Sequence, residues 1–158
     1  MAKNINIKNK KASFQYILIE EYKAGIVLNG TEIKSLREGK ASITESFCEF
    51  NENDELFAVN INIEEYRYGN NYNHKPKATR KLLLNKNELK KLKKEINNSG
   101  FTIIPKNLYI NEKGLAKINI WLAKGKKLYD KREVLRKREA EKKLDIVKKK
   151  FNNRYEKN

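Results

Sequence analysis

The sequence is poor in the residues that build reactive centres and cross-links. It contains one cysteine, Cys48, and one histidine, His74. A single thiol excludes an intramolecular disulfide, and one Cys with one His cannot supply the ligands of a structural zinc site. Cys48 lies among apolar residues in Ile43-Thr-Glu-Ser-Phe-Cys-Glu-Phe50 and reads as a small core residue rather than a nucleophile. There is no Gly-rich phosphate loop and no Gly-x-Ser-x-Gly elbow. Glu32-Ile33-Lys34 superficially resembles the acid-x-lysine end of a nuclease site, but three-residue matches are common by chance and a partner carboxylate and metal would be needed. The expectation is therefore no catalytic residue, no cofactor and no metal. No run approaches the roughly 18 apolar residues of a membrane span. The opening Met1-Ala-Lys-Asn-Ile-Asn-Ile-Lys8 lacks the apolar core of a secretion signal, so a cytoplasmic protein with no membrane partner is expected. Without such a signal the glycosylation-like Asn97-Asn-Ser99 carries no weight.

Acidic charge is the other shortage. The 158 residues carry 36 Lys and Arg against 20 Asp and Glu, a net of +16 with a pI of about 9.8. Polyanions are the usual partners of such an excess. The excess is uneven. Residues 124–158 hold 15 Lys and Arg against 6 Asp and Glu, a net of +9, which leaves +7 for the first 123. The dividing stretch is Leu122-Ala-Lys-Gly-Lys-Lys-Leu-Tyr-Asp-Lys-Arg132, where Lys124, Lys126, Lys127, Lys131 and Arg132 surround Tyr129. Cations answer phosphates, and an aromatic face can stack on a base. Two parts are predicted: a body over 1–123, long enough for one hydrophobic core, and a basic tail over 124–158. From Arg132 to about Tyr155 the tail has no Gly or Pro, and Ala140, Leu144, Val147 and Phe151 form a thin apolar stripe. The reading is a segment disordered or partly helical when free and ordered on binding; the alternative is a helix packed on the body through that stripe.

Within the body, residues 1–12 are polar and basic and need the body or an RNA to hold them. Phe14 to Glu21 reads as a strand, Tyr22-Lys-Ala-Gly25 as a bend and Ile26 to Leu28 as a second short strand. Thr31 to Glu38 reads as a helix closed by Gly39, with Ile33 and Leu36 on one face and Lys34 and Arg37 on another. Residues 41–50 and 55–63 read as strands, with Phe57, Val59, Ile61 and Ile63 sharing a face. Residues 66–79 form a loop by their Gly, Asn and Pro content, unusually aromatic and basic for a connector. Arg80 to Leu84 leads into a helix over about 86–98, for which Asn85 and Glu88 have capping-box spacing. Residues 101–110 and 115–122 close the body as a hairpin, with Pro105 marking an edge or a bulge. The predicted fold class is mainly β with inserted short helices: a small β-barrel of oligonucleotide-binding type, the last step by analogy, plus the basic helix-prone tail.

The RNA-binding signals are several. Asn9, Lys10 and Lys11, the helix cations Lys34 and Arg37, the aromatic loop, and Arg80 with Lys81 could make one basic face. The tail adds a second surface, which suggests a bridge between two polyanions. No helix reads as a major-groove reader, and a barrel with aromatic loops suits unpaired or irregular RNA.

Five segments resemble the SsrA-binding protein family, also called small protein B. They are Asn9-Lys-Lys-Ala12, Glu21-Tyr-Lys-Ala-Gly-Ile-Val-Leu28, Gly30-Thr-Glu-Ile-Lys-Ser-Leu-Arg37, Arg80-Lys-Leu-Leu-Leu84 and residues 122–132. They occur in the family's order and cover nearly the whole chain. The resemblance implies a partner of transfer-messenger RNA in trans-translation, the rescue of stalled ribosomes. It implies that the body holds the tRNA-like domain of that RNA and that the tail enters the empty mRNA channel beyond the decoding centre of the ribosome. It implies that alanyl-tRNA synthetase and elongation factor Tu are reached only indirectly, through the RNA, and that the protein catalyses nothing itself. Residue by residue, Asn9 and Leu83 match the RNA-binding side, with Lys10, Lys11, Arg80 and Lys81 as neighbours. Lys124, Gly125, Lys126, Lys127, Tyr129, Asp130, Lys131 and Arg132 fall in the decoding-centre segment, where Tyr129 would stack on a ribosomal base and Gly125 would let the backbone turn. Lys23 stands where the family has Glu, Lys75 where Asp is common and Ala78 where Arg is usual, so those contacts are not carried over. The alternative is a generic ribosomal-RNA-binding barrel protein.

Overall fold

Two long antiparallel strands carry the architecture. β2 (Tyr16–Ile26) pairs along its length with β9 (Ala116–Gly125), which pairs on its other side with β8 (Phe101–Ile110). The computed structural model describes residues 4–98, 100–126, 138–140 and 142–143. The remaining elements, in chain order, are β1 (Asn6–Lys8), α1 (Ala12–Gln15), α2 (Gly30–Arg37), β3 (Ala41–Ser42), β4 (Phe47–Phe50), β5 (Leu56–Val59), β6 (Asn62–Ile63), β7 (Arg80–Leu83) and α3 (Lys86–Ile96). The main sheet runs β1-β8-β4-β5-β7-β2-β9, and because β9 also pairs with β8 the sheet closes on itself as a ring. β3 and β6 form a separate two-stranded piece. The mainly β class with short inserted helices is the one read from the sequence.

Closure leaves one face of each strand inside. Ile118, Ile120 and Leu122 alternate inward on β9, Tyr22, Ala24 and Ile26 on β2, and Leu82 on β7. Helix α2 adds Leu36 and helix α3 adds Leu92, both fully buried. Burying a Leu or Ile side chain stabilises by about 1.5–3 kcal/mol, so this shared interior dominates the fold. Asn85 caps α3 by accepting from the Glu88 amide at 2.8 Å. Burial pushes the Cys48 thiol well above its ordinary range, in keeping with a packing residue.

Several local expectations are corrected. Tyr22-Lys-Ala-Gly25 is no bend but the C-terminal half of β2: pairing to β9 on one side and to β7 at Gly25 and Ile26 on the other holds it extended. Leu56 and Ala58 face inward, not Phe57 and Val59. Asn60 adopts φ of 64°, and that one left-handed residue shifts the alternation by a step, so that Ile61 and Ile63 still point inward. Residues 41–50 are split into β3 and β4 by a turn in which the Ser46 hydroxyl donates to Ile43 O. Residues 80–83 are a strand in the ring. Pro105 does coincide with a register shift against β9, the expected bulge.

The chain divides into two units, Met1–Gly125 and Lys126–Asn158. In the second, residues 138–140 and 142–143 are helical and exposed. Ala140, the first residue of the expected stripe, is among them; Leu144, Val147 and Phe151 lie outside the described residues.

Candidate nucleic-acid interface

The outer wall of β7, β2, β9 and β8 is where the pairing registers bring the candidate residues together. One row across it is Leu83, Gly25, Lys117 and Tyr109; the next is Lys23, Asn119 and Asn107; Glu21 and Trp121 follow. Leu83 is 54% exposed although apolar. Gly25 beside it leaves a shallow hollow: a Cβ there would lie 3.4 Å from Leu83 Cβ and 3.8 Å from Lys117 Nζ. The Lys106 ammonium sits 5.3 Å from the centre of the Trp121 ring. Asn119 Oδ1 and Trp121 Nε1 are buried without a protein hydrogen-bond partner, and such groups cost about 1–3 kcal/mol unless something pairs with them. An apolar knob, a hollow, unpaired polar atoms and cations together suit a folded RNA backbone and its exposed sugars and bases. Sequence reasoning missed Lys117, Asn119, Trp121 and Lys106. The signal for the first three was the alternation in β9, whose outward residues are these.

The N-terminal segment is held by the body, as one of its two expected alternatives required. β1 pairs with β8, and the Asn9 amide donates to Lys106 O at 2.8 Å. The Asn9 side chain donates to Pro105 O at 3.2 Å and accepts from the Lys11 amide at 3.3 Å. Asn9 is itself buried, so what it contributes is the turn from β1 into α1. Lys10 and Lys11 are exposed on that turn. Beneath α1 a small second core of Ala12, Ile104 and Ala123, flanked by Tyr16, Leu18 and Trp121, seats the segment on the ring.

Arg80 is a correction. It was expected among the RNA-facing cations; it is 3% exposed and points inward. Its Nε donates to Glu32 Oε2, its Nη1 to Ile61 O at 2.7 Å and its Nη2 to Pro76 O at 3.0 Å. Glu32 spends its other oxygen on the Asn29 amide at 2.9 Å, capping α2. Both partners are thus buried and hydrogen-bonded, Glu32 through both of its oxygens. The reason lies in strand alternation: Arg80 and Leu82 face in, while Lys81 and Leu83 face out. Lys81 is exposed and pairs with Glu55, whose carboxyl the lysine holds below its ordinary range. His74 is likewise structural. Its Nε2 donates to Ile63 O and its Nδ1 accepts from the Thr31 hydroxyl, both at 2.9 Å.

Lys34 and Arg37 are exposed on α2, and Lys34 lies 5.5 Å from the Tyr66 ring centre. Of the tail candidates, Lys124 and Gly125 end β9, paired to Ile17 and Tyr16. Gly125 is extended here and does not turn the chain; a Cβ there would meet nothing within 4 Å. Lys126 is described and has a partner; Lys127, Tyr129, Asp130, Lys131 and Arg132 lie outside the described residues. Among the described residues no cluster of acidic, His and Cys side chains could hold a metal, and no helix is long and apolar enough to cross a membrane.

Comparison with known proteins adds the following. A family profile described as SmpB protein matches residues 6–150. The SsrA-binding protein of Christiangramia forsetii is 58% identical over 151 residues, covering 96% of each chain. That of Flavobacterium psychrophilum is 59% identical over 151 residues, covering 96% of this chain and all of its own. A chain in a solved structure described as "tmRNA-SmpB: a journey to the center of the bacterial ribosome" is 42% identical with a TM-score of 0.68, over 84% of this chain and 95% of that one.

Proposed function

The chain belongs to the SmpB family of SsrA-binding proteins, and from that premise we propose that it binds transfer-messenger RNA and acts with it on stalled ribosomes in trans-translation. The observation that carries this reading is the likeness across nearly the whole chain to proteins named for that RNA and to a chain described with it and the ribosome. The wall supplies chemistry that suits the task. Leu83 and the Gly25 hollow fit against an RNA surface by shape, while Lys10, Lys11, Lys81 and Lys117 meet phosphates. The tRNA-like domain is the ligand we assign to the wall. Lys34 and Arg37 act from α2 as further RNA-facing cations.

The body and tail divide the work. Residues 124–158, with a net of +9, follow the mRNA path beyond the decoding centre, and Lys124 to Arg132 form the contact there, with Tyr129 stacking on a base. The protein works by binding and positioning, in the cytoplasm, without catalysis of its own. Alanyl-tRNA synthetase and elongation factor Tu are met through the RNA.

The test is binding of the full chain to a tRNA-like domain without an anticodon arm, with an ordinary tRNA as competitor through a salt titration. Preference for the truncated shape that persists at raised salt supports the reading. Equal binding that vanishes steeply with salt would reduce the protein to a ribosomal-RNA binder working by phosphate attraction. A chain ending at Gly125, which keeps the β9 ladder intact, should retain RNA affinity and lose peptide tagging on stalled ribosomes.

A further inference from the structure

The loop over residues 64–79 is built more firmly than a connector needs. The Asn73 side chain closes it by accepting from the Tyr66 amide at 3.0 Å and donating to Tyr66 O at 2.7 Å. Gly69 makes that closure possible, because a Cβ there would lie 2.6 Å from Asn73 Nδ2. A single 3-10 turn, Asn70–Tyr72, opens with Asn70 at φ of 50°. His74 and Arg80 then fasten the root of the loop to α2 and to the strand ends. This fixed frame holds its rings out to solvent: Tyr68 is 66% exposed and Tyr72 is 91% exposed. Tyr66 and Tyr68 meet edge to face at 5.6 Å, with Arg67 4.9 Å from the Tyr68 centre and Lys34 beside Tyr66. The exposed charges of the loop and of the end of α2 are Lys34, Arg37, Arg67, Lys75 and Lys77 against Glu38, Glu64 and Glu65, and Arg67 lies 3.8 Å from Glu38.

We propose that this loop is a second RNA-binding surface of the body, on which unpaired nucleobases stack against Tyr68 and Tyr72 while Lys34, Arg37 and Arg67 meet the flanking phosphates. Three properties favour RNA over a protein partner. The exposed rings stand within a cationic rim, which complements phosphate. Of the two stacking rings, Tyr68 already carries a cation, Arg67, 4.9 Å from its centre, which places positive charge where a stacked nucleotide brings its phosphate. The frame is set before any ligand arrives, so little ordering cost falls on binding. The site differs from the wall in both chemistry and residues: it reads the faces of unpaired bases, whereas the wall offers a shape to a folded RNA. The inference therefore goes beyond the proposed function and does not depend on which RNA the wall holds.

The test uses the full chain and a fluorescein-labelled short oligouridylate, which has no fold to read. The Y68A/Y72A pair should bind it roughly tenfold or more weakly, and the loss should persist at raised salt, because stacking is not screened. The Y68F/Y72F pair, which keeps both rings, should bind as the unaltered chain does. Both positions are exposed, so folding is not at risk. Unchanged affinity in the alanine pair overturns the proposal and leaves the rings to a protein partner; an equal loss in the phenylalanine pair overturns it too, because hydroxyl contacts would then be responsible. L83D separates the two surfaces: it should weaken binding of the tRNA-like domain and spare the oligouridylate. If L83D leaves the tRNA-like domain bound, the wall reading fails while the loop stands or falls on its own variants.

Discussion

The outer wall and the 64–79 loop use the same materials, rings and cations, but fix them differently. The wall inherits its order from the ladder: Lys23, Lys117, Asn119, Trp121 and Leu83 face outward because their neighbours face a closed interior. The loop has no ladder. It is held by side-chain hydrogen bonds from Asn73, His74 and Arg80, each of which substitutes for backbone pairing. The wall should therefore tolerate substitution of its outward residues without unfolding, and the loop should be sensitive at its few anchors. A regular surface suits shape reading, and a pinned loop suits presenting rings.

The strongest way to break the comparison is at Arg80, the point where loop and ring are joined. R80A leaves Glu32 buried without its partner and should cost about 3–5 kcal/mol in urea unfolding. An unaltered midpoint with weakened RNA binding would instead return Arg80 to the RNA face. Next is L83D, which should lower affinity for the tRNA-like domain by about tenfold or more, the equivalent of losing one buried Leu contact, with the unfolding midpoint unmoved. A drop in stability would show that Leu83 belongs to the core. G69A drives a Cβ into Asn73 and should release both of its bonds to Tyr66, a local loss of about 1–3 kcal/mol. Hydrogen exchange at the Tyr66 amide should quicken while strand amides keep their protection; global acceleration would mean that loop and ring unfold together.

Smaller effects sharpen the wall. K117Q should reduce the slope of log affinity against log salt by about one, whereas K81Q should do less because Lys81 is already spent on Glu55. Equal slopes would show that the Glu55 pair does not compete with RNA. The smallest effect is expected at Glu20, whose carboxyl the Lys91 hydrogen bond holds below its ordinary 4.5. A lowered folded value means that the pair stabilises above about pH 4.5 and that the gain fades as pH falls through the folded value. E20Q and the unaltered chain should thus differ slightly in melting temperature at neutral pH and coincide in acid. A gap that widens in acid would reverse the sign.

Much of this was legible in the chain. Alternation over 115–122 marks β9, Asn85 with Glu88 marks the start of α3, and Pro105 marks a bulge. The misreadings have separate causes. Tyr22 to Gly25 carries a bend's composition, but two neighbouring strands hold it straight. Phe57 and Val59 alternate with the wrong phase because Asn60 takes a left-handed conformation that composition does not declare. Arg80 beside Lys81 looks like a cationic pair, yet successive strand residues point to opposite sides. Asn9 is placed on the RNA side by its motif, yet it is buried, with its side chain bonded to Pro105 O and to the Lys11 amide.

By itself the sequence determined the charge excess and its uneven spread along the chain, the mainly β class and the family motifs, because these depend on composition and local spacing alone. Only the tertiary structure decided which cations are buried and which stand at the surface. Arg80 and Lys81 have nearly the same local chemistry, but one is committed to Glu32 inside the ring and the other stands outside. Only the tertiary structure also decided that Leu83, Gly25 and Lys117, far apart in the chain, share one row. The physical reason is that long-range pairing sets the register, and register settles which side chains face the interior and which face a partner.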